Sequence, residues 1–401
     1  MTDNRVFLKK FILAVCQAFQ LLSRRIHLHQ QRVTIISLNL AARLKLSQAE
    51  KTTLFYAGMM HDIGLFLTTH KTDVINFDTS EYVIHCEEAY SMLNRMELLR
   101  DAAIPIRYHH DNWAGPNQSG LAGDKIPFLS QIIHIADRTE VLINADKDPS
   151  EQSQEIIDKI SGYSGTWFNP QLVECFKEIA GDKVFWLAIT PEFTANFLDE
   201  FAPEDDRKVT LDNMVAVASI FAQIVDYKSH HTKGHSVQVT AMALKIGIAM
   251  HWAKDNLKRL WAAALLHDLG KLAIPNELLD KAEALTPQEY AIIKRHPYFG
   301  YVLLNAIPGF DEIAEWTLYH HEQLNGKGYP FGVDMDNISQ GARIIAVADK
   351  FTAMTEDRAY HKKMPTEKAI QILEEDAKKN AIDKRILEVL KKIVGKEESI
   401  K

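Results

Sequence analysis

AAALLHDLGKL at residues 262–272 decides how this chain is read. An apolar run leads into His267 and Asp268, an imidazole beside a carboxylate, and Lys271 follows three residues later. Nearly the same stretch stands earlier as YAGMMHDIGLF at 56–66, with its His-Asp pair at His61 and Asp62. Moving outward from these two, HQQRV at 29–33 pairs with HSVQV at 235–239 at the same offset of 206. His85 pairs with His296, and the doublet His109 and His110 with His320 and His321, at an offset of 211. IIHIADRTEVL at 132–142 then pairs with RIIAVADKFTA at 343–353, setting Asp137 against Asp349. Ten of the 17 histidines fall into five matched pairs in one order, which random placement would hardly produce. The chain is a tandem repeat of one domain.

The repeat sets the organisation: a first domain at 1–181, a connecting segment at 182–209 and a second domain at 210–401. The connection contains KVFWLAITPEFTANFLDEFAPEDDRK at 183–208, too apolar at its start to be a free linker and expected to pack between the copies. Apolar residues recur at spacings of three and four in 33–44, 52–60, 213–225, 237–248, 257–266 and 383–394, and strand-like alternation is scarce. The spacing predicts an all-α protein. Thr286, Pro287 and Glu289 form a helix start with a cap, a first-turn proline and a capping-box acid, and that helix is expected to carry His296.

Composition narrows the function. Hydrophobic content of 46% and charged content of 25% are globular averages. A net charge of -7 disfavours a nucleic-acid polymer or an anionic membrane surface, although a small anionic substrate needs only a local cluster of Lys and Arg. Cys16, Cys86 and Cys175 form no CxxC pair, so neither a disulfide framework nor a thiolate metal site is suggested, and a reducing cytoplasm fits. The start, where Lys9 and Lys10 precede FILAVCQAFQLL, resembles a short signal sequence, but Gln17 and Gln20 interrupt it and Arg24 and Arg25 follow. It is read as an amphipathic helix. No run reaches the roughly 18 apolar residues of a membrane span.

Histidine and aspartate offer nitrogen and oxygen ligands without sulfur, a set suited to iron, manganese or zinc. In the second domain His235, His267, Asp268, His296, His320, His321 and Asp349 are too many for one ion and suit two, with Asp268 placed to bridge them. Paired ions can acidify a shared water and hold both oxygens of an in-line phosphoryl displacement. Neighbouring helical residues diverge by roughly 100°, so His320 and His321 read as ligands of different ions; the plain alternative is a pair capping a helix C-terminus. Lys271 could reach a bound phosphate, or simply cap a helix end.

These motifs resemble the HD-GYP subgroup of the HD-domain metal-dependent phosphohydrolases, in HDLGK at 267–271, HHEQLNGKGYP at 320–330 and ARIIAVADKFTAMTEDRAY at 342–360. The resemblance covers nearly the whole second domain. It implies two tandem HD-type helical bundles packed together, a non-haem centre of two divalent metal ions, iron or manganese foremost, and hydrolysis of bacterial 3',5'-cyclic dinucleotides to linear products by a metal-bound hydroxide. The substrate would be cyclic di-GMP, 3',3'-cyclic GMP-AMP or both. By position, the family's metal ligands fall on the seven residues named above, with Asp268 and Lys271 catalytic. Its substrate contacts fall on Lys271, Gly328, Tyr329, Pro330 and Arg358. Asn325, Thr352, Ala359 and His361 depart from the family pattern and put base preference in question. His231 stands where three-metal members carry a glutamate, so two metals are expected.

The first domain resembles the same family incompletely. It keeps His29, His61, Asp62, His85, His109, His110 and Asp137 as a second metal set, but the lysine position holds Leu65 and HHDNWAGPN at 109–117 lacks the GYP. A regulatory or scaffold role without catalysis is expected. Two other readings stand beside the phosphodiesterase: a hydrolase of another phosphate ester, and a non-catalytic module that senses a cyclic dinucleotide or docks a protein partner through the GYP loop.

Overall fold

The 3.6-residue periodicity yields helices throughout, and the expected all-α class is borne out: 70% of the chain is helical, with no strand among the described residues. The computed structural model describes residues 7–18, 24–67, 83–228, 234–281, 283–356 and 363–398. Contacts divide the chain into two units, Phe7–Arg207 and one that runs from Lys208.

The first unit contains α1 (Leu8–Ala18), α2 (Arg24–Arg43), α3 (Gln48–Met60), α4 (Val83–Leu93), α5 (Arg100–Arg107), α6 (Phe128–Val141), α7 (Ser153–Gly162), α8 (Pro170–Ala180), α9 (Lys183–Ala188) and α10 (Thr194–Phe201). The second contains α11 (Leu211–Lys228), α12 (His235–Ala249), α13 (Lys254–Leu266), α14 (Asn276–Leu279), α15 (Pro287–Ile293), α16 (His296–Asn305), α17 (Asp311–Leu318), α18 (Gln340–Thr355), α19 (Thr366–Lys378) and α20 (Lys384–Glu398). The internal repeat is visible in the packing. Pairs α2·α3, α2·α6, α4·α5 and α3·α5 recur as α12·α13, α12·α18, α16·α17 and α13·α17. Val239, Ile246, Leu260, Ile313 and Ile345 are fully buried between these helices, each worth about 1.5–3 kcal/mol in removed apolar surface.

One close approach explains a glycine common to both units. After the His-Asp pair the chain tightens into a 3₁₀ turn, Ile63–Leu67 in one unit and Leu269–Ala273 in the other, and that turn packs on α4 or α16. A Cβ on Gly64 would collide with the carbonyl oxygen of His85, and one on Gly270 with that of His296. Only glycine lets the two backbones meet there, which brings the third histidine to the His-Asp pair.

Three expectations change. Of the segment treated as a connection, 182–207 belongs to the first unit and forms α9 and α10, both packed on α2, because its apolar side bears Trp186, Phe185 and Leu198, all buried. His296 does not lie in the helix opened at Thr286. That helix has its capping box but ends at Ile293, and α16 begins at His296 with Pro297 in its first turn, where a missing N–H costs nothing. Nor are His320 and His321 helical, since α17 ends at Leu318. The start at Leu8–Ala18 is helical and packs on α3 as expected of an amphipathic segment.

Candidate metal centre

In the second unit the histidines arrive from separate elements with their rings pre-aimed. His267, at the end of α13, directs Nδ1 to the Ala264 carbonyl at 2.8 Å; His296 directs Nδ1 to Ile293 at 2.8 Å; His320 directs Nδ1 to Thr317 at 2.6 Å. Each Nδ1–H thus donates to a carbonyl three residues back, which turns Nε2 inward. His235, first residue of α12, has Nε2 3.0 Å from Asp349 Oδ1 and Nδ1 3.0 Å from Glu356 Oε1.

Asp268 stands between two groups of donors. Its Oδ2 lies 3.3 Å from His267 Nε2, and its Oδ1 lies 3.3 Å from His296 Nε2. On one side His235, His267 and Asp268 converge, and Asp349 Oδ1 lies 3.9 Å from His267 Nε2; on the other His296, His320 and His321 converge. The doublet groups with His296, and His321 Nδ1 also stands 4.0 Å from Asp349 Oδ2. Once the helix has ended, adjacent rings need not diverge, and those of His320 and His321 sit 4.0 Å apart. Lys271, on the 3₁₀ turn, places Nζ 2.6 Å from Asp268 Oδ2.

The electrostatics suit cations. Burial opposes ionising Asp268, but Lys271 and His267 outweigh it and hold the carboxyl well below its usual range. Burial also opposes protonating His235, yet Asp349 and Glu356 hold its pKa up at about 9. Burial and neighbouring His296 push His321 down to about 3, so that ring is neutral at physiological pH. His267 Nε2 and Asp268 Oδ1 are buried without a hydrogen-bond partner, which costs about 1–3 kcal/mol each in a protein interior. A divalent cation would supply the missing partner, and an all-nitrogen-and-oxygen donor set fits one.

The substrate positions are partly placed. Tyr329 N donates to the His321 carbonyl at 3.2 Å, and its ring lies 4.7 Å from the His321 ring. Glu322 Oε1 accepts from Phe331 N at 2.7 Å and Gly332 N at 3.0 Å, holding the loop that contains Pro330. A Cβ on Gly328 would collide with the backbone of Glu322 and Gln323. Asn325 faces elsewhere, its Nδ2 donating to the Lys379 carbonyl at 2.9 Å. Arg358, Ala359, His361 and His231 lie outside the described residues.

The first unit gathers its own set. His29 Nε2 lies 3.1 Å from His61 Nε2, 3.2 Å from Asp137 Oδ1 and 3.3 Å from Asp62 Oδ2. His85 Nε2 lies 3.6 Å from Asp62 Oδ1, and His109 and His110 group with His85. Burial pushes His85 down to about 4 and His109 to about 3.

Four contributors escaped the sequence reading. Glu140 orients His29 through Nδ1 at 2.5 Å, as Glu356 orients His235. Glu140 is three residues and Glu356 seven beyond the matched aspartate, the same helix face one turn apart, so an acid at either spacing was the available signal. Arg138 donates Nε at 3.0 Å and Nη2 at 2.6 Å to Asp137 Oδ2. Cys86 Sγ lies 3.6 Å from His85 Nε2 and from His109 Nδ1, so a thiol does border this cluster; an isolated cysteine carries no spacing that announces it.

Known proteins place this geometry. The HD domain family model matches residues 13–172 and 219–386, one match on each repeat. The chain is 27% identical to 3'3'-cGAMP-specific phosphodiesterase 1 of Vibrio cholerae over 90% of its own length and 86% of that protein. It is 30% identical to 3'3'-cGAMP-specific phosphodiesterase 3 of the same organism, over 77% of this chain and 66% of the relative. A crystal structure of a cyclic GMP-AMP specific phosphodiesterase of Vibrio cholerae shares the fold, with a TM-score of 0.65, 23% identity and 98% of each chain covered. With a family match on both repeats that spans most of its length, the chain belongs to the HD domain family.

Proposed function

We propose that the protein is a metal-dependent phosphodiesterase that hydrolyses 3',5'-cyclic dinucleotides to linear dinucleotides, with catalysis in the second repeat. The observation that carries this is the convergence of His235, His267, Asp268, His296, His320, His321 and Asp349 on one buried cluster that has Lys271 at its edge. The two relatives that match over most of this chain are named for 3'3'-cGAMP, so cyclic GMP-AMP is the first substrate to test and cyclic di-GMP the second.

Two divalent ions, iron or manganese, would be held by those seven side chains with Asp268 shared. Bound there, they supply an acidified water nucleophile and offset phosphate charge. The protein's own part is positional. The three Nδ1–H bonds to carbonyls fix rings and tautomers, and burial excludes competing water. Lys271 already balances Asp268 and can share its ammonium with a phosphate oxygen as charge grows there. Gly328, Tyr329 and Pro330 form the wall beside His321, and Arg358 is assigned to substrate by its motif.

The first repeat is a regulatory or scaffold domain that retains a metal set without hydrolysis. Leu65 offers no charge to a phosphate, and Arg138 occupies the second oxygen of Asp137. Product analysis with cyclic GMP-AMP and cyclic di-GMP in parallel, on His267→Ala and His61→Ala variants, tests the assignment. Loss confined to His267→Ala is expected. Equal loss in both would refute an inactive first repeat, binding without cleavage would favour a sensor, and turnover of linear dinucleotides alone would favour another phosphate ester.

A further inference from the structure

Lys294 ends α15 and projects over two aromatic rings, with Nζ 4.6 Å from the Tyr290 centroid and 5.3 Å from that of Tyr329. The Tyr329 ring lies 4.7 Å from the ring of His321, so this ammonium stands one side chain away from the metal cluster. Three lysines of the unit are matched with acids, Lys271 with Asp268, Lys281 with Glu289 and Lys350 with Asp376. Lys294 makes no ion pair among the described residues. Attraction to ring faces orients an ammonium without neutralising it, which leaves its charge for an incoming anion.

The rings around it are themselves unusual for a water-facing surface. Tyr290 is 44% exposed, Tyr298 45% and Phe331 57%. They form linked pairs, Tyr290 with Tyr329 at 6.4 Å and Tyr298 with Phe331 at 5.9 Å. Flat, exposed aromatic faces beside a cation are what nucleotide binding uses, because every base has a face to stack and every linkage carries a charge. A cyclic dinucleotide has two phosphodiesters. The one being cleaved belongs at the His-Asp cluster with Lys271; the other keeps its full negative charge and needs a separate cation.

We propose that Lys294 binds the phosphate that is not cleaved, and that Tyr290 and Tyr329 present a face to one purine. This rests on the second repeat acting on cyclic dinucleotides. The matched position in the first repeat is Val83, at the same offset of 211 that pairs His85 with His296, so the feature tracks with Lys271 and the GYP loop. Lys294 is thus a substrate-positioning residue that the chemistry of a one-phosphate ester would not call upon.

Steady-state kinetics on the full chain test this with Lys294→Met, which keeps the length of the side chain, and Lys294→Arg, which keeps the charge. The two substrates are cyclic GMP-AMP and a p-nitrophenyl alkyl phosphodiester, which has one phosphate and no purine. The ratio of kcat/KM for the cyclic over the simple diester should fall roughly ten- to hundredfold in Lys294→Met, through KM rather than kcat, and recover in Lys294→Arg. An unchanged ratio, whether both substrates suffer equally or neither does, overturns the proposal. Matched thermal melting and metal content exclude misfolding as the cause. If the unmodified chain cleaves the simple diester but no cyclic dinucleotide, the functional reading itself fails and takes the proposal with it.

Discussion

Two clusters built from matched residues differ in what surrounds them. In the second repeat Asp349 keeps both oxygens toward the histidines, 3.0 Å from His235 and 4.0 Å from His321, while the adjacent Lys350 turns away to Asp376. In the first repeat the adjacent Arg138 turns inward and places two donors on Asp137 Oδ2. The cation at the His-Asp pair is reversed: Lys271 reaches Asp268, whereas Leu65 is buried at the matched place. The internal cation thus sits on the later aspartate in the first repeat and on the aspartate of the His-Asp pair in the second.

The comparison can be broken most sharply at the shared aspartates. Asp268→Ala should lower turnover of cyclic dinucleotide by about a thousandfold or more, since it removes a fully buried carboxylate that stands between His267 and His296, while Asp62→Ala should stay within roughly threefold of wild type in the same assay. Comparable losses would place catalysis in both repeats. Lys271→Leu, which copies the first repeat, should lower kcat by about a hundredfold with metal content by elemental analysis unchanged. Leu65→Lys in a His267→Ala background should not restore activity, because Arg138 remains on Asp137.

A subtler exchange concerns the acid behind the first histidine. Glu356→Gln should weaken metal affinity about tenfold in a competitive chelator titration, as loss of a partner to a ligating histidine commonly does. Thr352→Glu combined with Glu356→Ala moves the acid to the place Glu140 holds and should recover most of that loss; no recovery would mean that the two helices are not interchangeable there.

The repeats should agree where their backbones agree. Gly64→Ala and Gly270→Ala each force a methyl against a carbonyl, and each should cost about 1–3 kcal/mol in urea unfolding of its own unit. A large asymmetry would show that one 3₁₀ turn can yield. Smallest of all, Asn325→Asp should change kcat/KM by no more than about twofold, because this side chain ties the loop to Lys379 rather than facing the histidines.

Much of this was legible without coordinates. The repeat, its order and all seven matched pairs of histidine and aspartate were visible, since imidazoles and carboxylates at fixed intervals serve no apolar core. What the residues did not reveal was direction. Arg138 and Lys350 are both cations beside a matched aspartate, and nothing in either neighbourhood says that one turns in and the other out. Glu356 stands out from neighbouring acids only in the fold, where it is 8% exposed and orients His235. His320 and His321 do not splay as helical neighbours would, because their helix ends two residues earlier.

The amino-acid sequence by itself determined the helical class, the duplication and the inventory of ligands, because helical periodicity and residue chemistry are local properties written along the chain. Only the tertiary structure decided which histidines converge, that Asp268 lies between His267 and His296, and that Lys294 rests on aromatic rings without an ion pair among the described residues. Those depend on where helices distant in sequence bring their side chains, and close packing through Gly64 and Gly270 sets that distance.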